Sequence, residues 1–362
     1  MSNFLSRAYP GLLLATLGCN TTPPVSVDLS QPLPENLSEL HFFTWEENTF
    51  DYNDGVLPYE VNTPLFTDYA LKSRAMFLPE GTSATYDPQD ALAFPVGTVL
   101  IKSFLFPYDF RDLTLGLRLV ETRLLVHHEA GWKGYPYIWN KEGSEAILTV
   151  EGDVRSVEFI DTSGQTLQAT HLIPQRNQCV ECHELKDEAG ERYTTPIGPK
   201  ARHLNLDGQL QAMGDLGWLE GVPEAATIPQ ATDFAAIEGT DISTLSPLEL
   251  ETASRDYLDI NCAHCHNPNG VQGITSQLFL NVDNDDDFRL GICKRPGSAG
   301  HGGLDREFDI VPGDAEASIL VYRMATEEPG SMMPLIGRSL AHNDGVALIS
   351  AWINQMEPES CE

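Results

Sequence analysis

Between residues 41 and 175 the apolar positions recur every second residue. Leu113, Leu115, Leu117 and Leu119 alternate with other residue types, as do Val157 and Phe159, and again Leu167, Ala169, His171 and Ile173. A period of two places alternate side chains on one face of an extended chain, so the pattern predicts β-strands. Gly152-Asp153 and Ser163-Gly164 are turn pairs between such runs. The aromatic stretch GWKGYPYIWN at 131–140 reads as core or strand-edge packing ahead of a ligand platform. His127 and His128 are adjacent, so in a strand they face opposite sides and cannot chelate one metal together.

The period changes after residue 245. Ser246-Pro-Leu-Glu249 supplies an N-cap, a proline at the first helical position and a glutamate at the third. Leu250, Ala253, Tyr257 and Ile260 follow at helical spacing. A second helix, capped by Asn343 or Asp344, carries Val346, Ile349, Trp352, Ile353 and Met356 as its apolar stripe. Between the two lies a long loop region containing GSMMPLIG at 330–337. Residues 176–245 show no sustained period and are expected to pack on one of their neighbours. NVDNDDDF at 281–288 spaces its aspartates like a calcium loop, but Phe288 replaces the required glycine and Lys294 the bidentate glutamate. It reads as a solvated acidic loop.

Seven cysteines stand at 19, 179, 182, 262, 265, 293 and 361. Four fall in two copies of one pattern, Cys179-Val-Glu-Cys182-His183 and Cys262-Ala-His-Cys265-His266. Two CxxC pairs alone would suit a four-cysteine zinc site, and a thioredoxin-like pair would need a βαβ setting. Neither has a use for histidine after both pairs. Histidine is 10 of 362 residues, so two such placements by chance have odds of roughly 1 in 1,300. Covalent haem c does need the pattern: the thiols add across two vinyl groups on one porphyrin edge, and the next residue presents its imidazole to the iron. Two covalently attached haems are therefore expected. Cys179, Cys182, His183, Cys262, Cys265 and His266 bind them, with His183 and His266 on the irons and His264 as a spacer. Cys293 and Cys361 remain, and in an exported chain they are expected to form a disulfide.

The arrangement of 246–362, an opening helix ending in CxxCH, a methionine loop and a closing helix, resembles a class I cytochrome c. That resemblance implies a methionine sulfur on the iron opposite His266, and Met333, just before Pro334, matches the loop best, with Met332 the alternative. The distal ligand of the first haem stays open among His203, Met213, His171 or none. More widely, VNTPLFTDYALKSR, GWKGYPYIWN, IPQRNQCVECH, TPIGPKARHLN, SRDYLDINCAHCH and IVPGDAEASILVYRM are similar to a family of exported bacterial two-haem c-type cytochromes with a β-rich amino-terminal region. The resemblance implies two haems and electron transfer, and it supplies no substrate.

The amino terminus sets location. Arg7 precedes a short apolar run, Leu12 to Leu17, far below the roughly 20 residues of a membrane span. Gly18-Cys19 after it resembles a bacterial lipoprotein cleavage site, with residues 20–40, rich in Pro, Ser and Thr, as a tether. No later stretch is apolar enough to span a bilayer, so membrane association is expected through the lipid anchor only, in the periplasm or at the outer membrane. A hydrophobic fraction of 41% is ordinary for a globular chain. A formal charge of −31 is not. It argues against nucleic acid and suits a basic redox partner protein, or serves solubility.

The expected fold class is α+β multidomain: a lipoprotein-like signal (1–19), a linker (20–40), a β-rich domain (41–175), a first haem-binding segment (176–245) and a mainly α-helical cytochrome region (246–362). The expected function is electron transfer in the bacterial cell envelope by a two-haem c-type cytochrome without catalytic residues. The alternative is a dihaem peroxidase-like enzyme with an open coordination position at the first haem, and a further one is a binding module built on the β region.

Overall fold

The computed structural model describes residues 23–270, 277–297 and 303–361; the lipoprotein-like signal and Cys19 lie outside the described residues. In chain order the strands are β1 (Phe43–Glu46), β2 (Thr49–Tyr52), β3 (Val56–Pro58), β4 (Leu71–Phe77), β5 (Ala84–Thr85), β6 (Val99–Pro107), β7 (Leu117–His128), β8 (Gly131–Trp139), β9 (Ala146–Leu148), β10 (Asp153–Ile160) and β11 (Thr166–Ile173). Six of them form one antiparallel sheet in the order β3-β4-β6-β7-β8-β9, while β1–β2 and β10–β11 are separate hairpins. β6 is buried along almost its whole length, as a strand covered on both faces must be.

On one face Ala75, Ile101, Leu124 and Tyr137 pack against Leu33, Leu37, Leu40 and Phe42 from the amino-terminal segment. The other face has two apolar ends. Met76, Leu100 and Trp132 meet Leu204, Leu210 and Met213 at one end. Phe104 and Phe106 meet Val157, Phe159 and Ala169 of the β10–β11 hairpin at the other. Burying an aromatic or aliphatic side chain of this size stabilises by about 1.5–3 kcal/mol, so both coverings are strongly favoured. The aromatic stretch 131–140 is β8, with Trp132, Tyr135, Tyr137, Ile138 and Trp139 buried. His127 stacks on Trp132 at 4.5 Å, and His128 Nε2 meets the Tyr135 hydroxyl at 3.0 Å.

One alternating run does not become a strand. Leu113–Leu115 is a 3-10 turn, and β7 begins only at Leu117. The Asp112 carboxylate accepts from the Thr114 N–H at 3.0 Å, satisfying a backbone donor that the sheet would otherwise need. Gly116 at φ +111° then turns the chain into the sheet.

Residues 176–245 are built from short pieces: α1 (Val180–His183), the hairpin β12 (Glu184–Lys186) and β13 (Arg192–Thr194), α2 (Ala201–Leu204), α3 (Gln209–Asp215) and β14 (Leu219–Glu220), which pairs parallel with β5. They lie on the sheet through the Leu204–Leu210–Met213 cluster.

The mainly α-helical cytochrome region expected at 246–362 is not there. The protein is β-rich and only 23% helical. The described helices in that stretch are α4 (Pro247–Asn261), α5 (Asp287–Leu290), α6 (Ile319–Ala325) and α7 (Asn343–Gln355). Two amphipathic helices were legible, and both form; α4 starts with the full Ser246–Glu249 capping box. The chain between α4 and α7 is rich in Gly, Pro, Asn and Asp, which favour turns over helix interiors, so its described residues outside the short α5 and α6 run as loops. α4 and α7 pack closely because Gly345 lies against the Tyr257 ring, where a Cβ has no room.

This region is tied to the sheet side by polar contacts. Asp68 accepts from the Ser339 and Leu340 N–H groups at 2.6 and 2.8 Å. Asn261 Oδ1 accepts from the Phe66 N–H at 2.7 Å. The Cys293–Cys361 disulfide closes the carboxyl end over a separation of 68 residues. Replacing both cysteines with serine should lower stability by about 4 kcal/mol on the loop-entropy argument, read as a lower urea midpoint with a steeper slope, because the unfolded chain without the cross-link exposes more surface.

Candidate functional site

The first Cys-x-x-Cys-His segment sits at the end of β11, where the chain turns across β8. Arg176 stacks over the Tyr135 ring at 4.4 Å and donates to its hydroxyl at 3.1 Å. Cys179 lies flat on β8 at Gly134, where an added Cβ would come within 2.5 Å of Sγ. The glycine is what lets the thiol approach the strand. His183 is held reciprocally: its Nδ1–H donates to the Thr195 carbonyl at 2.8 Å, and the Thr195 N–H donates to the His183 carbonyl at 2.8 Å. This fixes the tautomer and leaves Nε2 as the lone-pair nitrogen. Burial holds the imidazole below its usual pKa, despite the Thr195 bond, so it is neutral and able to ligate.

The second segment follows directly from α4. Cys262 is the helix C-cap, and its carbonyl accepts from the Cys265 and His266 N–H groups at 3.1 and 2.9 Å. That turn places Cys262, Cys265 and His266 on the wall of a cavity of about 600 Å³. Burial pushes His266 down to about 4, with a backbone bond to Leu278 opposing, so this imidazole is also neutral. Burial likewise pushes the Cys262 thiol up to about 12.

Met333 lines the same cavity, and Met332 is not among the lining residues. The Met333 loop is clamped by Arg338, whose guanidinium donates to the carbonyls of Met333, Arg323, Thr326 and Leu340 at 2.9–3.1 Å. Three further lining residues escaped sequence reading. Met324 sits on α6, which shows only as an apolar ILVYRM run. His342 is held by the Tyr257 hydroxyl at 3.0 Å and stacked on Phe66 at 4.2 Å. Arg338 carries no motif at all.

The two segments abut. Glu181 and Cys182 of the first line the cavity of the second. Cys265 Sγ reaches the Glu181 carbonyl at 3.4 Å, and the Lys186 N–H donates to the Asn269 carbonyl at 2.9 Å. His264, read as a spacer, joins Cys182 and Cys265 in a cluster whose ligating atoms lie within 4.8 Å of one another. The Cys265 hydrogen bond, with His264 nearby, holds the Cys182 thiol well below the usual range, and Cys265 is raised in return.

No protein-family model, curated protein or solved structure matches this chain. Two thiols two residues apart, a neutral imidazole directly after them and a large cavity fit a covalently attached haem at the second segment. The fixed Nδ1–H of His183 fits the same group at the first.

The distal candidates for the first segment are spent elsewhere. His203 is fully buried and meets Asp259 of α4 at 3.1 Å. Met213 is core against Leu204 and Leu210. His171 meets Glu121 at 2.9 Å.

Asp259 gives a signed prediction. Burial raises its carboxyl, but the His203 bond, the Lys200 charge and the Val282 N–H outweigh this and hold it well below the usual range. The unfolded chain, titrating near 3.9, then binds more protons than the folded one, so stability is present above about pH 4 and lost as pH falls below it. Asp259→Asn should be less stable at pH 7 and show a flatter acid limb, measured by urea unfolding between pH 2 and 7.

Proposed function

We propose that the chain is a two-haem c-type electron carrier of the bacterial cell envelope, exported and held to the membrane by lipid on Cys19. The observation that carries this is the pair of abutting Cys-x-x-Cys-His segments, one with a locked His183 tautomer and the other opening into a cavity shared with Met333. When bound, haem c supplies a one-electron ferric–ferrous couple whose potential follows from ligands, burial and nearby charge.

The protein's own residues do the rest. Cys179, Cys182, Cys262 and Cys265 would hold the two haems, and His183 and His266 would offer them neutral imidazoles. Arg338 fixes the loop that brings Met333 to the cavity, and Leu278 and Leu280 supply part of its apolar wall. A methionine ligand raises the potential relative to a second histidine. The formal net charge of −31 favours encounter with a basic partner protein and makes that encounter weaken with salt.

A second reading rests on one observation: His203 and Met213 are both engaged in packing, so neither is free to serve as the second ligand that the sequence suggested for the first haem. An open position there would suit peroxide chemistry of the dihaem peroxidase kind.

Expression in a host with c-type maturation decides the matter. The mature protein should carry the mass of two haems, and its ferric EPR spectrum should show two low-spin centres. A colourless product with the bare polypeptide mass removes the proposal, and a high-spin first haem with peroxide turnover replaces the carrier by the enzyme. Met333→Ala should turn the second haem high-spin and lower its reduction potential, whereas Met332→Ala should leave both unchanged, as read by optical and EPR titration.

A further inference from the structure

The sheet face beneath the first Cys-x-x-Cys-His segment carries a row of positive charge. In register, Arg74 of β4 lies opposite Lys102 of β6, which lies opposite Arg123 of β7. Lys72 stands two residues before Arg74, on the same face. Like charges directly opposite one another across strands destabilise a sheet. The chain has only 22 Lys and Arg against 53 Asp and Glu, so gathering four of them on a covered face does not serve solubility.

The carboxylates nearby do not balance the row. Glu121 is fully buried and takes Arg123 at 2.5 Å, while also meeting His171 at 2.9 Å. Glu60 reaches Arg74 only at 3.7 Å. Asp68 is committed to the Ser339 and Leu340 N–H groups. Among the described residues Lys102 has no carboxylate at ion-pair distance; its ammonium sits 5.1 Å from the Phe104 ring. Among the described residues Lys72 Nζ donates only to the Ala70 carbonyl, at 2.8 Å. Four cations thus share two carboxylates. Burial favours the neutral form of both lysines, outweighing the pull of Glu238 and Asp68 on Lys72 and of Glu121 on Lys102.

The row faces the first segment. Cys179 Sγ lies against Gly134 of β8, which pairs with Leu125, two residues from Arg123 and on the same face of the sheet. Haem c carries two carboxylates on the porphyrin edge away from its vinyl-derived bonds, the same number of negative charges that the row lacks. We propose that Lys72, Arg74, Lys102 and Arg123 form the carboxylate-binding site for the two propionates of the haem attached at Cys179 and Cys182. This rests on the two-haem reading above. It gives the β-rich region a role: the sheet is the counter-charge and floor of the first haem. A guanidinium pairs a carboxylate in bidentate fashion and an ammonium acts as a point charge, so the row offers both.

The test uses the mature two-haem protein in spectroelectrochemical titration. The first-haem wave is identified as the one missing from a Cys179→Ala, Cys182→Ala variant. Removing a cation next to the propionates stabilises the ferric form, so Lys102→Gln and Lys72→Gln should each move the first wave to lower potential. The second wave should stay in place, and Lys102→Arg should restore the first. An unmoved first wave in the double Lys72→Gln, Lys102→Gln variant overturns the assignment. A saturable shift of the wild-type first wave on adding acetate also overturns it, because the row would then be open to a soluble carboxylate. Failure of the two-haem reading is seen separately, as a mature mass lacking haem, before any titration is made.

Discussion

The structure depends on a buried charge clamp between α4 and the strip of chain that follows the first Cys-x-x-Cys-His segment. Arg202 pairs with Asp256 at 2.6 Å, and His203 meets Asp259 at 3.1 Å, with both carboxylates buried. Asp256 also accepts from the Thr232 N–H and hydroxyl at 2.7 and 2.8 Å, so its lone pairs are well satisfied. Breaking a buried pair by removing one partner costs about 3–5 kcal/mol. That makes the clamp specific: α4 has one seat, and the turn that ends it delivers Cys262, Cys265 and His266 beside Glu181 and Cys182.

Two opposite electrostatic regimes follow in one molecule. The exterior is strongly acidic, and its field acts at range on an approaching partner. The covered sheet face is basic and acts only on what lies against it. Between the two, both histidines that follow the cysteine pairs are kept neutral by burial, the state in which imidazole offers a lone pair to a metal. The chain spends polar groups on orientation as well: Thr195 fixes one ring, and Arg338 binds four carbonyls to shape a loop that has no regular structure of its own.

Much of the candidate site was legible because its chemistry is local. A spacing of two between cysteines and the adjacent histidine are properties of five consecutive residues, and no folding is needed to see them. α4 was legible from its capping box, and the β10–β11 hairpin from alternation with a glycine turn at φ +90°. Leu113 to Leu119 shows the limit of that logic: alternation continued through residues whose backbone Asp112 and Gly116 had already turned aside. The mainly helical carboxyl-terminal region failed for a similar reason, since two good helices and a motif do not specify what 80 intervening residues do.

The sequence by itself determined which thiols and imidazoles stand together in the two Cys-x-x-Cys-His segments, which segments alternate and which two helices form, because each is decided by near neighbours. Only the tertiary structure decided that the two cysteine segments touch, that Met333 and not Met332 faces the cavity, that His203 is tied to Asp259 and that four cations meet on one sheet face. These are contacts between residues tens to hundreds of positions apart. They are set by strand register, by the α4 clamp and by which face each side chain takes, none of which is written in local spacing.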